Sequence, residues 1–200
     1  MNFDAVVGAY TNGLVELELM VCATEREVIS GNKNVLLVTD NINFFTKSFL
    51  ISACAHLEMC IKDIVFAVAR DIDVRLSTAS IPASIIEWRY SQKKKKNESG
   101  NGFPNRFAIG ITKKEVDDLV SGNVYKTKDA LALVGVDLTT DKSKWEAWKD
   151  LIQAIVTRRN NIVHHNDDAS DISFGDIRSY INSMIEYNKF IVTSCKAVHN

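Results

Sequence analysis

Proline occurs only 2 times and glycine 9 times in 200 residues, and this scarcity constrains the fold more than any other feature. A sandwich or barrel of short strands needs turn residues every few positions. A chain that spends so few of them runs in long, uninterrupted helices. The apolar periodicity agrees. Residues 3 to 29 carry Val6, Leu14, Leu17, Met20, Val21 and Val28 at spacings of mostly three, four or seven, with Gly8 and Gly13 as weak points. Ser30 to Asn34 reads as a stop and a turn. A longer run from Asn41 to Leu76 carries Phe45, Phe49, Leu50, Ala53, Leu57, Ile61, Ile64, Val65, Val68 and Ile72. A stripe that wide predicts a central helix contacted from several sides. Ser77 to Ile81 breaks it, and Pro82 suits the first turn of a short helix reaching about Gln92.

Lys93 to Phe107 is polar and loop-like, with four consecutive lysines ahead of Asn97-Glu98-Ser99-Gly100-Asn101-Gly102. Two short helices are expected at 113–121 and 126–134, the first capped by Thr112. Asp141 or Ser143 caps the next long helix, whose stripe runs Trp148, Leu151, Ile152, Ile155, Ile162. A last helix begins near Ser173, where Ser173 and Asp176 match a loose capping box. The sum is an all-α fold. We expect an up-and-down bundle of four main helices in one domain, with a helical and loop insert at about 93–140 between the second and third.

Hydrophobic residues at 46% and charged residues at 24% are ordinary for a globular chain, and exclude disorder over most of it. With 24 Lys+Arg against 25 Asp+Glu the net charge is -1, so any nucleic-acid binding must come from a local patch. Cys22, Cys54, Cys60 and Cys195 form no C-x-x-C pair and have no histidine at zinc-finger spacing, which argues against structural zinc. No H-E-x-x-H, EF-hand loop, P-loop or dinucleotide fingerprint occurs, so neither metal nor cofactor is expected. No signal peptide is evident, and the longest stretch free of Asp, Glu, Lys and Arg is eleven residues, short for a membrane span. The expectation is a reduced, cytoplasmic protein without a membrane partner.

Chemistry concentrates in one segment, Thr157-Arg158-Arg159-Asn160-Asn161-Ile162-Val163-His164-His165-Asn166-Asp167. Arg159 falls in the middle of an apolar stripe. A guanidinium on the core-facing side of a helix is costly unless it is paired or lines a polar cleft. Asn160 and His164, four apart, can face each other. Arg159 and His164, five apart, are separated by roughly 140° around an ideal helix. They cannot meet on one atom unless the helix ends near His164 or two copies of it meet. Periodicity alone favours another set, Arg158, Asn161 and His165.

Arg159-Asn160-Asn161-Ile162-Val163-His164 resembles the R-N-x-x-x-H form of the R-x(4-6)-H motif of the HEPN superfamily. Ser52-Ala53-Cys54-Ala55-His56-Leu57-Glu58 resembles the S-A-x-x-x-L-E segment of its stand-alone RiboL-PSP-like branch. With the helical pattern, the resemblance covers nearly the whole chain, although residues 103–140 match no known segment. It implies a metal-independent endoribonuclease that dimerises so that two motif helices line one cleft. It also implies a toxin or anti-phage role, with RNA, a second copy and an antitoxin or defence-system component as partners.

The chemistry suits these residue types. RNA supplies its own nucleophile, the 2'-OH. Cleavage then needs a base, an acid for the leaving 5'-oxygen, and charge stabilisation at phosphorus. Imidazole titrates near neutral pH, and the planar guanidinium fork can hold two phosphate oxygens. His164 is therefore the candidate acid/base, Arg159 the clamp, and Asn160 an orienting or phosphate-binding group. Glu58, Arg158 and His165 are supporting candidates, and Lys93, Lys94, Lys95 and Lys96 could hold RNA backbone. Plainer readings stand beside these. Arg159 could be a structural partner of a buried acid such as Glu58. His164 could simply complement a helix C-terminus. The lysine run could be a solvated loop. His56 reads as a core histidine, and Trp88, Trp145 and Trp148 as core or interface residues. A HEPN-like module that binds RNA or protein without cleaving, and a helical interaction protein, are the competing functions.

Overall fold

The apolar stripe of the 41–76 region becomes the axis of the structure. The computed structural model describes residues 3–30, 36–90 and 109–199. Within these the chain forms eight α-helices and one 3-10 turn, Leu138–Thr140, with no strand. The helices are α1 (Phe3–Ser30), α2 (Leu36–Thr39), α3 (Ile42–Ala79), α4 (Ala83–Tyr90), α5 (Lys113–Leu119), α6 (Val124–Leu133), α7 (Lys142–His165) and α8 (Phe174–His199). The all-α expectation holds.

α3 buries Leu50, Ala53, Leu57, Cys60, Ile61, Ile64, Val65 and Val68, and α1, α5, α6, α7 and α8 all pack on it. Each of the Leu, Ile and Val side chains moved fully out of water contributes about 1.5–3 kcal/mol. Polar pairs at the edges set direction. Lys196 meets Asp4 at 2.6 Å and Arg178 meets Glu25 at 3.1 Å, so α8 runs antiparallel to α1. Tyr10 donates to Asp63 while Gly13 lies against His56, so α1 and α3 are also antiparallel. Ala169 N–H donates to Asn43 Oδ1 at 3.0 Å, and Arg159 meets Glu58, which makes α7 antiparallel to α3. Asp63 ties three elements together, taking the Tyr10 hydroxyl and the Lys113 ammonium. Burial works to raise its carboxyl pKa, but hydrogen bonds from Lys113 and Tyr10 outweigh burial and hold it below its ordinary value.

Several boundaries moved in the structure. α3 continues to Ala79 and closes at Ser80, which adopts the left-handed conformation (φ 53°) and donates its N–H to Ser77 O. The short helix α2 was not expected. Thr112 and Glu115 form the capping box of α5, Ser173 and Asp176 bond reciprocally ahead of α8, and Asp141 rather than Ser143 caps α7. The described part of the expected insert is no surface addition. Val116, Val120, Val124, Leu131, Val136 and Leu138 are buried in the same core as the long helices.

By length and composition α1 is apolar enough to cross a membrane. Here it buries Phe3, Val7, Leu14, Leu17 and Val21 within the bundle, while Glu18 and Glu25 bond to α8.

Gly13 lets α1 pack closely on α3, since a Cβ there would lie 2.7 Å from His56 Cε1. Mid-helix glycine normally costs about 1 kcal/mol relative to alanine. We expect Gly13→Ala to destabilise the protein by about 1 kcal/mol through overpacking. In a His56→Ala background the same change should stabilise by about 1 kcal/mol. Denaturant unfolding of the four proteins checks this. An effect of the same sign in both backgrounds would contradict the contact.

Candidate functional site

Arg159 sits on α7 among Ile152, Ile155, Val156 and Ile162, all buried. Its guanidinium reaches the rim of the core, where α7, α3 and the α5–α6 connection meet. There Nη2 donates to Glu58 Oε2 at 3.4 Å and Nη1 donates to Asn160 Oδ1 at 2.9 Å. The other oxygen of Glu58 binds Lys62 Nζ at 2.8 Å. The Arg159 and Glu58 side chains are 22% and 24% exposed, so the pair is partly desolvated yet open on one side. Arg159 thus has an acidic partner and also lines a cleft. The cleft holds about 70 Å³, between Cys54 and Glu58 of α3, Val156, Arg159 and Asn160 of α7, and the turn Ser121-Gly122-Asn123.

Cys54 forms the buried floor of the cleft. Burial pushes its thiol up to about 12, although Arg159 pulls the other way. Among the described residues no group of three or more His, Cys, Asp or Glu is placed to hold a metal ion. Roomier hollows lie elsewhere, one of about 450 Å³ beside Val6, Asp63, Phe66 and Arg70, but none gathers the motif residues.

His164 and His165 are exposed on the last turn of α7, and neither imidazole hydrogen-bonds to another described residue. The helix stays regular through His165 and ends at Asn166, which is left-handed (φ 53°) and donates to Asn161 O. Arg159 and His164 therefore remain about 140° apart around α7 in one chain. Asn160 lies between them, one turn before His164.

The structure gives Arg158 a different task. It contacts Asp167 at 3.5 Å, Asp168 O at 2.5 Å and the Asp171 carboxylate, clamping the α7–α8 connection. It does not line the cleft at Arg159, and no hydrogen bond among the described residues joins its side chain to Asn161 or His165. Lys93, Lys94, Lys95 and Lys96 lie outside the described residues, as do the side chains of Trp88 and His199. Trp145 is buried and Trp148 packs on the core, and half-buried His56 faces α1 rather than the cleft. Sequence reasoning missed Lys62 and the Ser121–Asn123 turn. The signal for the turn was a Ser-Gly-Asn break between two short helices, which says that a turn exists but not what it faces.

The sequence model of the RiboL-PSP-HEPN family matches residues 24–197. The chain belongs to this HEPN family. The match takes in Glu58, Arg158, Arg159, Asn160, His164 and His165, and it runs through the middle segment as well. Membership points to an RNase-type or RNA-binding function. No curated protein and no solved structure matches the chain.

Glu58 is the acidic anchor of this HEPN cleft. Glu58→Gln is expected to lower stability by about 1 kcal/mol, a discounted value for a partly exposed pair. Most of that loss should vanish in an Arg159→Ala background. Equal losses in the two backgrounds, measured by urea unfolding, would show that the pair carries no coupling energy.

Proposed function

We propose that the chain is a metal-independent endoribonuclease of the cytoplasm, acting as a toxin or anti-phage effector. The observation that carries this reading is the guanidinium of Arg159, held by Glu58 and Asn160 at the mouth of a small polar cleft within an R-N-x-x-x-H segment. In the proposed reaction a base removes the 2'-OH proton and the 2'-oxygen attacks phosphorus. Arg159 stabilises the charge that gathers on the non-bridging oxygens. The 5'-oxygen leaves with a proton, giving a 2',3'-cyclic phosphate and a 5'-hydroxyl. His164 serves as acid or base, and Asn160 orients it or contacts the phosphate.

One chain does not bring His164 to the cleft, so the reading requires a second copy whose His164 faces Arg159. Exposed apolar side chains on α3 and α7, the two helices that carry Glu58 and the motif, support such a dimer. Phe44, Ile51 and Met59 share one face of α3 by their spacing and are 65%, 36% and 56% exposed, and Val163 of α7 is 47% exposed. Apolar side chains clustered in this way commonly mark an interface. An antitoxin or other defence-system partner would be a further protein on such a surface.

A second reading is favoured by the Glu58 contact, which neutralises Arg159 in the resting chain. In that reading the protein is a HEPN module that binds RNA or protein without cleaving.

An RNA-cleavage assay in EDTA separates the two. The wild type should release cyclic-phosphate ends, and His164→Ala should lose at least about 100-fold in rate. Undiminished cleavage by His164→Ala would sink the role of His164. RNA binding without any cleavage by the wild type would favour the second reading.

A further inference from the structure

The cleft at Arg159 has one wall that the motif does not supply. The Ser121-Gly122-Asn123 turn closes it, and this turn is held from two sides. Asn123 Oδ1 accepts from the amides of Tyr125 and Lys126, both at 3.0 Å, and Ser121 O accepts from the Thr127 hydroxyl at 3.2 Å. On the α7 side, Val124 N–H donates to Gln153 Oε1 at 3.3 Å. Gly122 is buried, yet its N–H donates to no described residue. Arg159 Nε is also buried and without a partner. Buried N–H groups are rarely left unpaired. Both residues line one cleft of about 70 Å³, which is several times the space one water needs. Glu58 also lines the cleft and offsets Arg159 at rest, so the occupant that takes the place of Glu58 at the guanidinium is an anionic group rich in acceptors.

We propose that the Ser121–Asn123 turn and Arg159 together form an oxyanion subsite, in which Gly122 N–H and the guanidinium hold a non-bridging phosphate oxygen. The ribonuclease reading supplies the source of that phosphate, an RNA phosphodiester. The subsite also accounts for the resting contacts. Arg159 exchanges its long 3.4 Å contact with Glu58 for the phosphate, while Glu58 keeps Lys62 at 2.8 Å. Gly122 leaves the cleft open. A Cβ there would lie 3.6 Å from both Val156 methyls and 3.8 Å from Glu58 Oε2, ordinary contacts that fit without a clash but occupy the space. Its φ is not in the left-handed region, so alanine is tolerated by the backbone.

The test uses the full chain, labelled with 15N, and two probes: a 2'-O-methyl oligoribonucleotide, which lacks the nucleophile, and inorganic phosphate. Both are expected to move the Gly122 amide resonance. Gly122→Ala keeps the amide but puts a methyl into the cleft, and should weaken oligonucleotide binding by about tenfold with Tm unchanged. If Arg159→Ala weakens binding while the Gly122 amide moves with neither probe, the subsite is overturned and the RNA reading survives without it. If phosphate moves Gly122 and the oligonucleotide does not bind, the subsite stands and the RNA source fails. Should Gly122→Ala lower Tm by several degrees, the amide titration of the wild type decides alone.

Discussion

A guanidinium on the core-facing stripe of a helix must find compensation, and in this chain that requirement joins the two most important helices. Arg159 of α7 is answered across the bundle by Glu58 of α3, and Glu58 is shared with Lys62. The pair is not sealed. Each side chain keeps roughly a quarter of its surface, so the compensation is held at a mouth rather than in a dry interior. That position makes a structural ion pair available to chemistry. A fully buried pair would resist exchange of partners, and a fully exposed one would fix nothing. The antiparallel packing of α3 and α7, the buried contacts of α5 and α6, and the clamp of Arg158 on the α7–α8 connection all keep this junction in place.

The helical architecture was legible because its causes are local. Stripes at three- and four-residue spacing, Thr112 with Glu115, and Ser173 with Asp176 each state an element or its start within a few residues. The stop at Ser80 was displaced because a left-handed serine gives no distinctive sequence signal. Arg159 was legible for a physical reason, the cost of an inward charge. Its neighbour Arg158 was not, because spacing put it with Asn161 and His165 while its partners Asp167, Asp168 and Asp171 come from the following connection. The cleft wall at Ser121–Asn123 was beyond sequence reasoning. Its relevance comes from packing against α3 and α7, which no local pattern encodes.

The separation of Arg159 from His164 gives the site its logic. A regular helix holds them about 140° apart and roughly 7–8 Å along the axis. α7 remains regular through both, so one chain presents a cleft of about 70 Å³ beside Arg159 and, on another side, an exposed imidazole. Family membership supports an RNase-type or RNA-binding role, and the geometry of a single chain leaves that role unfinished. In the proposed reading a second copy joins the two halves, with Arg159 of one protomer and His164 of the other acting on the same phosphate.

Mixing two inactive variants measures this most directly. Arg159→Ala and His164→Ala proteins are each purified, combined, dissociated and reassociated, and assayed for RNA cleavage in EDTA. In a shared site the mixed dimer places both lesions in one cleft and leaves the other intact. The account therefore predicts that activity returns, to about half the wild-type level per mixed dimer. If each site draws both residues from one chain, every cleft in the mixture carries a lesion. Activity that stays at the level of the separate variants, with mixed dimers demonstrated in solution, would contradict the account.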